Sequence, residues 1–138
     1  ALLQPAGSLG RRLMKIEELM HTGDAIPRVS VGALMKDAII VMTAMRMGMT
    51  GVFKGDKLVG IVTDGDLRRA LEKGGNILAK KVEQVMTKDP LRIEGAALAE
   101  SALRVMEDRV ITSLFVHDKA GKIIGVIQMH DLIRAGVV

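Results

Sequence analysis

Gly60–Leu71, GIVTDGDLRRAL, divides into the end of a strand, a tight turn and the start of a helix. The apolar run Leu58, Val59, Ile61 and Val62 closes at Thr63, the chain turns through Asp64 and Gly65, and a helix begins at Asp66. The first N–H groups of a helix lack partners within it and carry partial positive charge, so an anion can settle there. Thr63 adds a hydroxyl and Asp66 a carboxylate, and together with free N–H groups they suit a ribose and a phosphate. The same spacing, Thr63-x-x-Asp66 before an apolar run, is also that of a capping box, in which the hydroxyl caps one N–H and the carboxylate returns to another. Taken alone, the stretch favours the cap, and the rest of the chain has to decide.

Working outward, Thr50–Phe53 and Leu58–Val62 read as a hairpin around the polar turn Lys54–Lys57. Leu34–Arg46 precedes it as a helix, with Leu34, Ala38, Val41, Met42 and Met45 on one face, and Gly48 breaks it. Gly74, Gly75 and Asn76 stop the helix Asp66–Lys73. Then the order recurs. VEQVM at Val82–Met86 echoes IEELM at Ile16–Met20, and Pro90–Ile93 echoes the extended Ile26–Val29. Ala96–Asp108 is a second helix, Ser113–Val116 and Ile123–Ile127 a second hairpin, and GVIQMHDL at Gly125–Leu132 a second version of the opening stretch. Gly60 and Asp66 recur as Gly125 and Asp131 at one common offset, and Met20 recurs as Met86 one residue further along. Such agreement marks a duplication. One copy alone would leave a sheet face uncovered, and two copies can bury those faces against each other, with clefts between them.

Composition limits the function. The 138 residues are 49% hydrophobic and 26% charged, which describes a folded chain. With two Phe, no Tyr and no Trp, the core must come from Ile, Val, Leu, Ala and ten Met. There is no Cys, no secretory signal pattern and no apolar run of membrane-spanning length, so the cytoplasm is the expected compartment and no membrane partner is expected. The net charge of +4 is scattered over short pairs such as Arg11-Arg12, Arg68-Arg69 and Lys80-Lys81, without the aromatic residues on which nucleic-acid bases stack. A nucleic-acid partner is therefore not expected. His21 and Asp24 have no evident third metal ligand, and no nucleophile–base pair stands out, so neither a metal nor a catalytic residue is assigned.

The duplicated strand–strand–helix unit ending in G-x-x-[TS]-x-x-D resembles a CBS domain pair, or Bateman module, over about residues 14 to 135. MHTGDAIPRV, VGIVTDGDLRRAL, ITSLFV and MHDLIRAGVV are similar to the C-terminal CBS pair of bacterial arabinose 5-phosphate isomerases, which join an N-terminal sugar-isomerase (SIS) domain to this module and supply the pathway to the lipopolysaccharide sugar Kdo. The resemblance implies an α/β (α+β) fold of two CBS repeats, each a small three-stranded sheet with flanking helices, packed by pseudo-twofold symmetry. Residues 1–13 would be the tail of a SIS domain or a linker, 14–76 the first repeat and 77–138 the second. The tail carries Gln4 where the isomerase pattern has His, so no catalytic residue is carried over and no catalytic cofactor is expected.

In that family the Thr/Ser and Asp of the motif contact the phosphate and ribose of adenosine-type nucleotides between the repeats, which here implies Thr63 and Asp66. Thr22, Gly23 and Asp24 precede the first strand and would line the same cleft, or form an ordinary turn. Arg68 and Arg69 follow Asp66 and suit phosphate or carboxylate, or are simply solvated. Arg109, Thr112 and Ser113 lie where the second copy should face that cleft, and His130 occupies the second turn, as a ligand contact or an inert turn residue. The second turn has Gln128 for Thr63, and so loses both the cap and the hydroxyl, keeping only Asp131. Two unequal sites are expected. The ligand would be AMP- or ATP-like, or the nucleotide sugar CMP-Kdo made further along the pathway. The module would regulate its own SIS domain and associate as a homodimer of CBS pairs. The alternative is an oligomerisation module without a ligand.

Overall fold

The computed structural model describes Gly10 and residues 13–137. The tail assigned to a preceding domain, with Gln4 and Arg11-Arg12, lies outside them apart from Gly10 and Leu13. The chain divides into two compact units. One is Pro27–Pro90, and the other joins the segment up to Ile26 to Leu91–Val138.

In the first unit the sheet is formed by β1 (Arg28–Ser30), β2 (Met49–Lys54), β3 (Lys57–Thr63) and β4 (Thr87–Lys88), in that spatial order. β1 runs parallel to β2, and the pairs β2–β3 and β3–β4 are antiparallel. Helix α1 (Met35–Met45) buries Met35, Ala38 and Met42, which stand at the helical spacing that places them on one face. It ends where Arg46 takes a left-handed conformation at φ 56°, its N–H donating to the carbonyl of Met42 at 3.1 Å. Helix α2 (Asp64–Lys73) follows β3 directly. The core is Met35, Ala38, Met42, Val52, Val62, Ala70, Ile77 and Val82.

The second unit repeats this plan. β5 (Arg92–Glu94) lies parallel to β6 (Ser113–His117), which pairs antiparallel with β7 (Ile123–Gln128). Helix α3 (Ala99–Arg109) buries Ala99, Ala102 and Met106 at the spacing used in α1, and α4 (Met129–Arg134) follows β7. α3 closes at Val110, also left-handed at φ 54° and 90% exposed. A β-branched residue there carries backbone strain. Both hairpins shift register by a bulge at the same point, between Val52 and Phe53 and between Val116 and His117.

Three features depart from the sequence expectation. First, the leading turns of the repeats, where Lys15–Met20 reads as a short amphipathic turn of helix, are the 3-10 helices Ile16–Glu18 and Val82–Gln84. Second, these turns lie in the compact unit opposite to the one their order suggests. Ile16 belongs to the core of Ala99, Ala102 and Leu114, while Val82 belongs to that of Met35 and Val52. The Ala99 N–H donates to the Met14 carbonyl at 2.7 Å and the Met35 N–H to the Lys80 carbonyl at 2.8 Å. The compact units therefore cut across the sequence repeats. Third, the sheet of the first unit has four strands, because Thr87–Lys88 pairs with β3, whereas the matching place in the second unit holds a single bridge between His21 and Val126.

That edge explains the glycine of the motif. Gly60 has an ordinary extended conformation and is required for space. A Cβ there would meet the Met86 side chain and come within 3.1 Å of the Thr87 carbonyl oxygen. At Gly125 it would meet Met20 and come within 2.8 Å of the His21 carbonyl oxygen.

Candidate ligand site

β3 delivers Thr63 to the start of α2 in extended conformation, at φ −113° and ψ 167°. The capping box is complete. Thr63 Oγ1 accepts from the Asp66 N–H at 3.1 Å, and the Thr63 N–H donates to Asp66 Oδ2 at 2.9 Å. The Asp66 carboxylate does more than close that box. Its Oδ2 also accepts the Thr63 hydroxyl at 3.0 Å, and its Oδ1 accepts the Thr87 hydroxyl at 2.8 Å and an Arg69 guanidinium N–H at 2.6 Å. Asp66 is only 4% exposed, one of two buried polar residues among those described.

Burial acts to raise the Asp66 pKa, but the hydrogen bonds from the Thr87 hydroxyl, the Thr63 backbone, Arg69 and the Thr63 hydroxyl outweigh it and hold the carboxyl below its ordinary value of 3.8. A depressed carboxyl stabilises the fold fully above its unfolded pKa and ceases to do so as the pH falls through the folded value. Denaturant unfolding followed from neutral pH down to about pH 2 should therefore show wild-type stability falling below about pH 4, with a shallower fall in Asp66→Asn. Parallel acid profiles for the two proteins would remove Asp66 from the acid transition.

Arg68 is exposed and makes no hydrogen bond or ion pair among the described residues. A cavity of about 360 Å³ in the same unit is lined by Ile39, Met42, Thr43, Arg46, Gly48, Asp64 and Leu67. The turn thus presents Asp64 to this cavity and not Asp66, and no candidate residue from the sequence lines it.

The remaining candidates lie in the second unit. Asp131 accepts the Gln128 N–H at 2.8 Å, so half of the capping box survives where the sequence reading had the cap lost. The Gln128 amide instead faces Ser113 Oγ at 3.5 Å, across the register pair Ser113–Gln128. The Thr112 carbonyl accepts the Met129 N–H at 2.8 Å. Thr112, Ser113 and His130 therefore gather around the second turn, with Arg109 exposed at the end of α3. Thr22, Gly23 and Asp24 are exposed and open the short turn Gly23–Ala25 directly after His21.

Two residues in contact with the motif carboxylates were not among the candidates. His21 Nε2 lies 2.7 Å from Asp131 Oδ1, in the place that Thr87 takes against Asp66. Extending the Met20/Met86 echo by one residue gives His21/Thr87, so the signal was present in the repeat. Among the described residues no group of three or more His, Cys, Asp or Glu could hold a metal ion, and no helix is long and apolar enough to cross a membrane.

The sequence profile of the CBS domain matches residues 16–73 and again 82–138. The chain is 44% identical over 140 residues to the arabinose 5-phosphate isomerase KdsD of Salmonella typhimurium, covering all of this chain and 42% of that protein. It is 44% identical over 139 residues to KdsD of Pseudomonas aeruginosa, covering 99% of this chain and 43% of that protein. The chain thus spans well under half the length of these curated relatives. Among solved structures, the CBS domain protein NE2398 superposes with a TM-score of 0.79 at 22% identity, over 91% of this chain and 98% of that one. CBSX2 in complex with AMP gives 0.74 at 24% identity, over 89% and 96%. The CBS domain of a bacterial CNNM/CorC family Mg2+ transporter in complex with ATP gives 0.80 at 20% identity, over 96% and 94%.

Proposed function

This chain belongs to the CBS domain family, and from that premise we propose that it is a regulatory module that binds a nucleotide-type ligand at the Thr63–Asp66 turn. The observation that carries the reading is the buried Asp66 carboxylate at a helix start, beside a hydroxyl and an arginine. A carboxylate can accept both hydroxyls of a ribose, and the helix start and arginine suit the adjoining phosphate. That fold neighbours were solved with AMP and with ATP supports an adenine nucleotide. The alternative ligand is CMP-Kdo, whose ribose and phosphate would use the same groups while its sugar carboxylate meets a second arginine. Arg68 belongs to this proposed contact set, and Thr22, Gly23, Asp24, Arg109, Thr112, Ser113 and His130 are the proposed ligand contacts of the other unit.

In this reading residues 14–76 and 77–138 are the two CBS repeats, residues 1–13 lead from a cytoplasmic SIS isomerase domain, and the ligand biases that domain through differential affinity for two arrangements of the module. Calorimetric titration with AMP, ATP, CMP and CMP-Kdo tests it. At least one should bind the wild-type chain, and binding by none would sink the proposal.

A second reading, an assembly module pairing as a homodimer, is favoured by Ile40 on α1 and Leu71 on α2, which are 63% and 61% exposed. It predicts that Asp66→Ala leaves the sedimentation behaviour unchanged, and the ligand reading is compatible with that result.

A further inference from the structure

Resting on the nucleotide reading above, we propose that Arg69 is a latch on the site: its guanidinium holds the Asp66 oxygen that a ribose hydroxyl needs, and it transfers to the ligand's phosphate when the ribose arrives. An ionised carboxylate has about four acceptor positions. Asp66 fills them within its own unit, with the Thr63 N–H and hydroxyl on Oδ2 and the Thr87 hydroxyl and Arg69 on Oδ1. A ribose hydroxyl cannot be added to this set until one donor leaves.

The donors differ in what holds them. Both Thr63 donors belong to the capping box, and Thr87 is fixed by the strand pairing of Ile61 with Thr87. Arg69 is held only by the carboxylate itself. Its side chain is 65% exposed, against 4% for Asp66, so water takes up its charge on release. It is the donor that costs least to displace.

Its destination is close at hand. The two terminal nitrogens of Arg69 lie 3.6 and 3.8 Å from where a Cβ on Gly65 would stand. The guanidinium therefore lies across the first turn of α2, where an anion approaching the helix start would arrive, and its planar fork matches two phosphate oxygens. The absence of a side chain at Gly65 leaves room for this.

The second copy shows that the engagement is optional. Arg134 stands in the same relation to Asp131, yet it has no hydrogen bond or ion pair among the described residues. Asp131 Oδ1 is taken by His21 instead, and His130 stands at the position of Gly65.

The test compares nucleoside with nucleotide by calorimetry, using adenosine and AMP, and cytidine and CMP, on the wild-type chain, Arg69→Gln and Arg69→Lys. Circular dichroism confirms that all three are folded. Removing a latch that also grips phosphate moves the two ligand types in opposite directions. Arg69→Gln should bind the nucleoside about two- to fivefold tighter and its nucleotide about tenfold more weakly, and Arg69→Lys should recover most of the nucleotide affinity. A purely structural arginine would weaken both ligands together, and an idle one would change neither. Either result, with wild type binding a nucleotide, overturns the latch and leaves the nucleotide site standing. Wild type binding neither AMP nor CMP overturns the latch, and failure of ATP and CMP-Kdo as well overturns the nucleotide site.

Discussion

Asp66→Ala should abolish the proposed nucleotide binding and lower the stability of the unit Pro27–Pro90 by about 3 kcal/mol, because it removes one acceptor from four donors at once. The Thr63 N–H and hydroxyl belong to a half-buried residue and the Thr87 hydroxyl to an exposed one, all directed at a carboxylate that is itself buried, and each loses its partner. Arg69 contributes little to this cost, since its exposed guanidinium regains water. A buried donor left unpaired costs about 1–3 kcal/mol, so the two half-buried Thr63 donors supply most of the stated figure and the exposed Thr87 hydroxyl and the arginine little of it. Asp66→Asn separates the two effects. It preserves shape and one carbonyl oxygen, so it should lose about half as much stability, yet its amide N–H groups oppose donors where the carboxylate accepted them, and affinity for a ribose should still fall at least tenfold. Urea unfolding beside calorimetric titration checks both quantities. Full stability in Asp66→Ala would mean that the four hydrogen bonds do not hold β3, α2 and β4 together.

Gly125→Ala is the second large effect, and it should exceed the matching change at Gly60. At Gly125 the new Cβ faces a backbone oxygen, that of His21, at 2.8 Å, and this residue is bound to Val126 by two hydrogen bonds of 2.8 and 3.0 Å. Backbone anchored in this way cannot yield without breaking the bridge that also positions His21 against Asp131. At Gly60 the first obstacle is the Met86 thioether, a flexible chain end, and the Thr87 oxygen stands back at 3.1 Å. The expected losses are about 3 kcal/mol for Gly125→Ala and about 1 kcal/mol for Gly60→Ala. Midpoints of urea unfolding at unchanged slope measure the difference. Equal losses, or a greater one at Gly60, would refute the account of these glycines as spacers for the crossing segment.

Much of this fold was legible in the sequence, and the gaps have physical reasons. The β3–α2 junction could be read because its signal is local: Thr63 and Asp66 at capping-box spacing need no knowledge of distant residues. Helices α1 and α3 were legible because Met35, Ala38 and Met42, and Ala99, Ala102 and Met106, stand at the period that a buried face imposes. Each helix nevertheless starts later than its apolar run suggests. The residue before it, Leu34 or Leu98, bridges to Lys81 or Lys15, far along the chain. A repeat discloses that two segments share a structure and does not disclose which copy each segment packs into, so the crossing of Ile16 and Val82 into opposite cores was invisible. The same limit hid Thr87 and His21 as partners of the two aspartates. The Arg69–Asp66 pair is different. Three residues apart on one helix, it lay within reach of spacing rules, but whether an exposed arginine turns toward its own helix or to solvent is decided by the room left at Gly65.

The crossing of the leading turns also sets an order of assembly. The strand pairings of β1 to β4 join segments within Pro27–Pro90, so they can form once Pro90 has left the ribosome. Ile16 must wait, because its N–H goes to the Ala97 carbonyl, and His21 must wait longer still, for Val126. Through most of synthesis the segment Lys15–Ile26 thus lacks its distant partners and has a long loop to close, and the closure is made last, when its entropy can be repaid by the finished β7. Release of a chain ending short of β7 would leave that early segment without its partner while the strand pairings of the interval Pro27–Pro90 had already been made.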